Sequence, residues 1–313
     1  MEILIRCLTL MVEVVIFAGV GFLGRKSGLL GEEAQKGGTQ ILLWICAPAS
    51  ILYAARSVTF NAETLRSMSQ MLLLTFLSYA AIIPLSWGTA KALRLPDGDR
   101  TVLVGSASFK NNAFLGLPLG LTVLGEGSAF YIALSMAVFN VMMWTFGVWL
   151  YSGGHSFSLK KMLVNPALLS CVAMVLLSLF RVPLPEIVWT TFKAGGDMCT
   201  PLSLLIVGMM LASSPFWKSL TKPFFLLTSA FSLFVCPLLM MLLVRVFRPA
   251  QAAAAVLLLI SAVPSATMNP IVAAEYGGDG VKMSTAVVHS MVLGLVTMPV
   301  LISLFLAWIG YSG

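Results

Sequence analysis

Three adjacent side chains in an apolar stretch, Lys110, Asn111 and Asn112, have the chemistry to hold an anion. An ammonium supplies a point charge, and each carboxamide both donates and accepts hydrogen bonds. They lie within residues 106–124, SASFKNNAFLGLPLGLTVL, a run long and apolar enough to belong in a membrane. A charge at the bilayer centre costs about 2.5–3.5 kcal/mol even on the most lenient scale, so a lipid-facing helix does not carry this group. With Gly116, Pro118 and Gly120 close behind, the stretch reads as a helix interrupted at membrane depth. Such backbone is tolerated only where it is buried in protein or lines a watery cavity. A counterpart follows at residues 261–280, SAVPSATMNPIVAAEYGGDG, with Pro264, Asn269 and Pro270. Its candidate ligand-binding side chains are Ser265, Thr267 and Asn269. Two Pro/Gly-interrupted segments at corresponding places point to the binding site of a transporter. Each polar side chain has a plainer alternative, satisfaction of backbone groups freed by the break. Lys110 has another, in which its stem carries the ammonium to an interface. Gly116, Pro118, Pro264 and Pro270 are expected to shape the breaks.

Other ionisable groups fall within apolar runs. Lys193 and Asp197, four residues apart beside Gly195 and Gly196, share one helical face. They are either a self-neutralising pair or a proton- or ion-coupling pair, since carboxylates within spans commonly mark relays. Glu13 is a third coupling candidate. His289 is a fourth, because imidazole titrates near neutral pH, although a lone His in a packed helix is more often a satisfied core residue. Five cysteines lie apart in apolar surroundings, without metal-ligand spacing, and read as small buried thiols. No metal or cofactor is implied.

Those groups require a membrane scaffold to hold them. Hydrophobic residues make up 59% of the 313 and charged residues 10%, against about 25% charged in soluble domains. The +7 net charge is spread singly or in pairs over short loops, which argues against nucleic acid as a partner. No nucleotide-binding loop, Ser/His pair, aspartate dyad or His–Glu metal helix is visible, so an enzyme is not indicated. The N-terminus reads as a first span and not as a cleavable signal, because Glu13 interrupts its apolar core. Ten spans are expected, at about 8–24, 37–55, 68–91, 106–124, 128–151, 163–180, 187–212, 224–247, 250–276 and 281–309.

The two halves repeat. Cys46-x-Pro48-x-Ser50 recurs as Cys199-x-Pro201-x-Ser203, an offset of 153 shared by Pro84 and Pro237. Ser106-Ala107 matches Ser261-Ala262, and Ser135-Met136 matches Ser290-Met291, both at 155. The chain divides into a first five-helix unit (1–151), a cytoplasmic linker (152–162) and a second unit (163–313). Five spans per unit force the second to enter the membrane from the opposite side, so the repeat is inverted. With both termini outside, eleven Lys and Arg fall in cytoplasmic loops and six on the external side, and the basic bias favours that orientation.

Phe109-Lys110-Asn111-Asn112-Ala113-Phe114-Leu115-Gly116-Leu117-Pro118-Leu119 resembles the fourth-span signature of the auxin efflux carrier family, and Ala262-Val263-Pro264 through Asp279 is similar to its ninth-span pattern. The resemblance covers essentially the whole chain. It implies an all-α integral membrane protein of ten transmembrane helices, a five-plus-five inverted repeat whose broken helices 4 and 9 cross at mid-membrane. This is the bile-acid-transporter-like and sodium/proton-antiporter-like fold. It further implies homodimerisation, residence in the plasma (inner) membrane and a small organic anion as substrate, as in bacterial malonate and malate permeases. The family has a small residue or Pro where Lys110 stands, which adds positive charge here. The expected function is a secondary carrier working by alternating access. The alternatives are a cation/proton exchanger or sodium-coupled symporter of the same fold, or a non-transporting channel or sensor.

Overall fold

The computed structural model describes residues 2–58, 60–213 and 219–311, with side chains from residue 12 onward except those of 13, 14 and 57. Lys218, one of the basic residues counted above, and the side chain of Glu13 therefore lie outside the described residues. Among the described residues the only β pairing is a single bridge; the rest is helix and connection. In chain order the helices are α1 (Glu2–Lys26), α2 (Glu32–Ala54), α3 (Ala62–Ala92), α4 (Asp97–Ser108), α5 (Asn112–Leu124) and α6 (Ser128–Tyr151). The second half holds α7 (Leu159–Leu163), α8 (Pro166–Leu179), α9 (Glu186–Ser213), α10 (Pro223–Phe247), α11 (Gln251–Ala262), α12 (Met268–Glu275) and α13 (Gly280–Trp308).

Among the described residues six of these, α2, α3, α6, α9, α10 and α13, are long and apolar enough to cross a membrane. Their outward faces carry large apolar side chains at helical spacing, such as Leu238, Leu242 and Val246 on α10, or Val296, Val300 and Leu304 on α13. Apolar surface on that scale needs a lipid or protein cover. Helix starts follow local chemistry. Asn61 accepts from the Thr64 amide, Asn165 from the Ala167 and Leu168 amides ahead of Pro166, and Asp279 from the Lys282 amide. α4 begins well before the expected span at 106, because Asp97 and Asp99 occupy its first turn, where carboxylates favour the helix dipole. Part of the linker is likewise helical, as α7.

Prolines leave a recurring mark. A π turn precedes Pro48 (Leu42–Cys46), Pro118 (Asn112–Gly116) and Pro237 (Phe231–Val235), each ending two residues before the ring. Proline has no N–H and clashes with the carbonyl four residues back. Widening the turn to i→i+5 bonds moves that carbonyl away and leaves one carbonyl without a backbone donor.

The helices pack in two groups. In one, α9 is held against α1, α2 and α8 builds on α2. Small residues permit the close approach: a Cβ on Gly208 would lie 1.9 Å from the Ala18 carbonyl oxygen, and one on Gly196 would lie 3.0 Å from Ser50 Cα. The other group contains α3, α4, α6 and α10–α13. Short α5 lies between them, touching α1 and α9 on one side and α6 and α11 on the other.

Candidate functional site

Both interrupted stretches break, and the breaks meet. The first lies between α4 and α5 at residues 109–111, the second between α11 and α12 at 263–267. Lys110 and Ser265 form an antiparallel bridge, in which the Asn111 amide donates to the Pro264 carbonyl (2.9 Å) and the Ala266 amide to the Phe109 carbonyl (2.8 Å). Backbone freed by one break is thus satisfied by the other, as a water-poor interior demands. Pro264 lies within its break. Gly116 and Pro118 do not: the first break falls ahead of both, and Pro118 is accommodated just after a π turn inside a continuous helix. Pro270 likewise sits in the first turn of α12, where its missing N–H costs little.

Phe109 anchors the first break. It is fully buried, with the Tyr79 and Phe139 rings each 5.8 Å away. Next to it, the Lys110 ammonium is buried, which rules out the interfacial alternative. Its Nζ donates to the Ser232 carbonyl and to Ser232 Oγ at 3.0 Å. That carbonyl is the one orphaned by Pro237. The π turn directs the Cys236 amide to Phe231, so the donor next in register for Ser232 would be the nitrogen of Pro237. Ser265 completes the cluster, donating to the Ser106 carbonyl at 2.5 Å, with its Oγ 3.2 Å from that of Ser232. Among the described residues no carboxylate bonds this ammonium.

Asn111 caps α5: its Oδ1 accepts from the Phe114 amide at 3.3 Å. Among the described residues its Nδ2 has no partner, although Asn111 is 2% exposed. Asn112, 6% exposed, donates from Nδ2 to Ser135 Oγ at 3.3 Å, and its Oδ1 has no partner among the described residues. A buried polar atom left unpaired costs about 1–3 kcal/mol, so two on adjacent side chains mark a place where chemistry is expected from outside the chain. Turning the Asn112 amide over exchanges its atoms, takes the Ser135 hydroxyl as donor, and lets both asparagines present N–H.

The second break offers less. Asn269 is fully engaged: it accepts from the Tyr151 hydroxyl (3.0 Å) and donates to the Gly105 (3.3 Å) and Phe109 (3.4 Å) carbonyls, tying α12 to α4 and α6. Thr267, buried, stands at the start of α12 without a side-chain cap bond. His289 is fully buried, with Nδ1 2.7 Å from Ser229 Oγ and Nε2 3.2 Å from the Leu220 carbonyl.

Lys193 and Asp197 do pair, at 3.2 Å, and Lys193 also reaches Glu126 at 3.3 Å in the connection between α5 and α6. They line a cleft of about 240 Å³ together with Ser50, Tyr53, Thr122 and Thr200.

Sequence reasoning missed Ser232, Tyr151 and Glu126 as partners of the predicted residues. Ser135 and Ser290 stood in the sequence as a repeated Ser-Met pair. Each proves to receive a bond from one break, Ser135 from Asn112 and Ser290 from the Ser265 amide at 3.2 Å. Pro237 was the available signal for Ser232, five residues earlier.

An all-helical, multi-pass molecule with interrupted helices meeting around unpaired polar groups has the construction of a membrane transporter. The chain matches a family described as Membrane transport protein over residues 7–155 and 154–302, and it belongs to that family, the auxin efflux carriers. Comparison with curated proteins found no match.

Proposed function

We propose that this protein is a secondary carrier for small organic anions, mono- or dicarboxylates of the size of malonate or malate, bound where the two interrupted helices meet. The observation that carries this reading is the buried Asn111–Asn112 pair, which among the described residues has one unpartnered polar atom on each side chain, adjacent to an ammonium bonded there only by neutral oxygens. A carboxylate would satisfy the amide donors and supply the missing countercharge.

Alternating access rests on an inverted five-plus-five repeat of ten helices with a crossover. Its support is local. Adding 155 to Phe109, Lys110 and Asn111 gives Pro264, Ser265 and Ala266; Lys110 pairs with its own counterpart, while Asn111 and Phe109 each bond the counterpart of the other, by reciprocal amide-to-carbonyl bonds. A two-fold axis between Lys110 and Ser265 requires that pattern. Separation of the helices into two groups, with α5 between them, supplies bodies that could rock or slide past one another. Both termini on the outside, a plasma-membrane location in a lipid bilayer and a homodimer complete the proposal.

The test is thermal stabilisation of the purified protein by acetate, malonate, malate, simple amines and glucose. Ligand at 100 times its dissociation constant adds about 2.7 kcal/mol to the native state. A shift with carboxylates, abolished by Asn111→Ala in a protein that still unfolds cooperatively, is expected. A shift with amines or glucose alone overturns the reading.

A further inference from the structure

The cleft beside Lys193 is a separate feature from the Asn pair. Its walls come from α2 (Ser50, Tyr53), α5 (Leu121, Thr122), α6 (Ala129) and α9 (Lys193, Gly196, Thr200). Two of those walls, α5 and α9, also bracket the first break, because the π turn that begins at Asn112 packs against the second half of α9. Leu121 stands nine residues along α5 from Asn112, about 13 Å at the helical rise. The cleft and the pair therefore share the α5 and α9 walls, about 13 Å apart along α5.

At its rim Lys193 is held by exposed, exchangeable contacts. Its side chain is 45% exposed, with Asp197 at 3.2 Å, Glu126 at 3.3 Å and the Tyr53 ring centroid at 5.6 Å. Asp197 belongs to the same helix and moves with Lys193. Glu126 belongs to the α5–α6 connection, so its bond joins one helix group to the other. A cation whose second carboxylate partner comes from another element can trade that partner for a carboxylate from solution with little rearrangement.

We infer that the cleft is a capture site for organic anions, in which the substrate carboxylate replaces Glu126 on the Lys193 ammonium before passing down the α5–α9 seam. This rests on the anion reading proposed above and adds to it a second site and a specificity residue. Glu126 acts as a built-in competitor. While bound it ties the α5–α6 connection to α9, and its displacement by substrate removes that tie. Thr122, Thr200 and Ser50 offer hydroxyls for a second carboxylate or a hydroxyl on the ligand.

An exposed ammonium–carboxylate contact changes affinity by about two- to fivefold. In proteoliposomes, Lys193→Met is expected to raise the KM for radiolabelled malonate by that factor, and Glu126→Gln to lower it, with kcat nearly unchanged in the former. The deciding measurement is protection of Lys193 from trinitrobenzenesulfonate by malonate, read by peptide mass spectrometry in the wild type and in Asn111→Ala, alongside malonate-induced thermal stabilisation. Protection in both proteins supports a capture site independent of the Asn pair. Stabilisation of the wild type without protection of Lys193 overturns this inference and leaves the anion carrier standing. Protection lost in Asn111→Ala also overturns it, because the shielding then comes from the deeper site. Absence of both effects overturns the inference together with the reading beneath it.

Discussion

Replacing Lys110 with Met separates the stability of the break from its chemistry. The substitution keeps the length of the stem and removes the charge. One loss is structural: the Ser232 carbonyl, orphaned by Pro237, gives up its ammonium donor, at a cost of about 1–3 kcal/mol. One gain offsets it, since a buried ammonium without a carboxylate partner carries a desolvation penalty of several kcal/mol even after relaxation. Lys110→Met is therefore expected to unfold no more easily than the wild type. Anion affinity should fall steeply. For a carboxylate placed roughly 8 Å from Nζ at an effective dielectric of about 20, the lost attraction is about 2 kcal/mol, or ~30-fold. The assay is thermal unfolding in detergent, with and without graded malonate, for the wild type, Lys110→Met and Ser232→Ala. Ser232→Ala keeps the charge and the backbone carbonyl and should retain affinity within a few fold. An affinity in Lys110→Met within twofold of the wild type would refute the electrostatic argument. A loss of stability beyond about 3 kcal/mol would show that the ammonium serves as a strut that the break needs.

Gly208→Ala should destabilise the protein by about 1–3 kcal/mol, because the added methyl meets backbone of α1 and the helices must separate; Gly19→Ala, with open space around the new Cβ, is the neutral control, and an equal shift in both would contradict the packing described. Lys161 on α7 pairs with Glu275 at the end of α12, and that hydrogen bond raises its pKa above the ordinary Lys value. A group whose folded pKa is raised contributes stability that is complete below the unfolded pKa and lost as pH climbs through the folded one. The stability difference between wild type and Lys161→Met, small for so exposed a pair, should hold steady from pH 6 to 9 and vanish only well above pH 10; a difference that vanished near neutral pH would contradict the assignment.

Much of this molecule is legible without coordinates, for physical reasons that differ by feature. Lipid tolerates neither charge nor open backbone, so a Lys-Asn-Asn run in an apolar stretch announces a break wherever it occurs. Proline chemistry is less informative. Pro118 and Pro270 suggested the positions of the breaks, yet both fit within a helical turn, and the first chain break falls at residues 109–111. The repeated Ser135 and Ser290 were visible as a pattern, but their role as acceptors for the breaks was not.

By itself, the sequence determined the class of the protein, the two interrupted stretches, the spacing that relates them, and the residues available to bind an anion, because composition and periodicity are local properties. Tertiary structure alone decided what each side chain faces. Lys110 finds the carbonyl that Pro237 cannot serve 122 residues away, Asn269 is consumed in tying α12 to α4 and α6, and Asn111 and Asn112 keep one polar atom each without a partner among the described residues. Lys193 likewise pairs with Asp197 through helical spacing that the sequence shows, and with Glu126 only through the fold. Hydrogen bonds saturate: which donor reaches which acceptor first is settled when distant segments meet, and the groups left over are the ones a ligand can use.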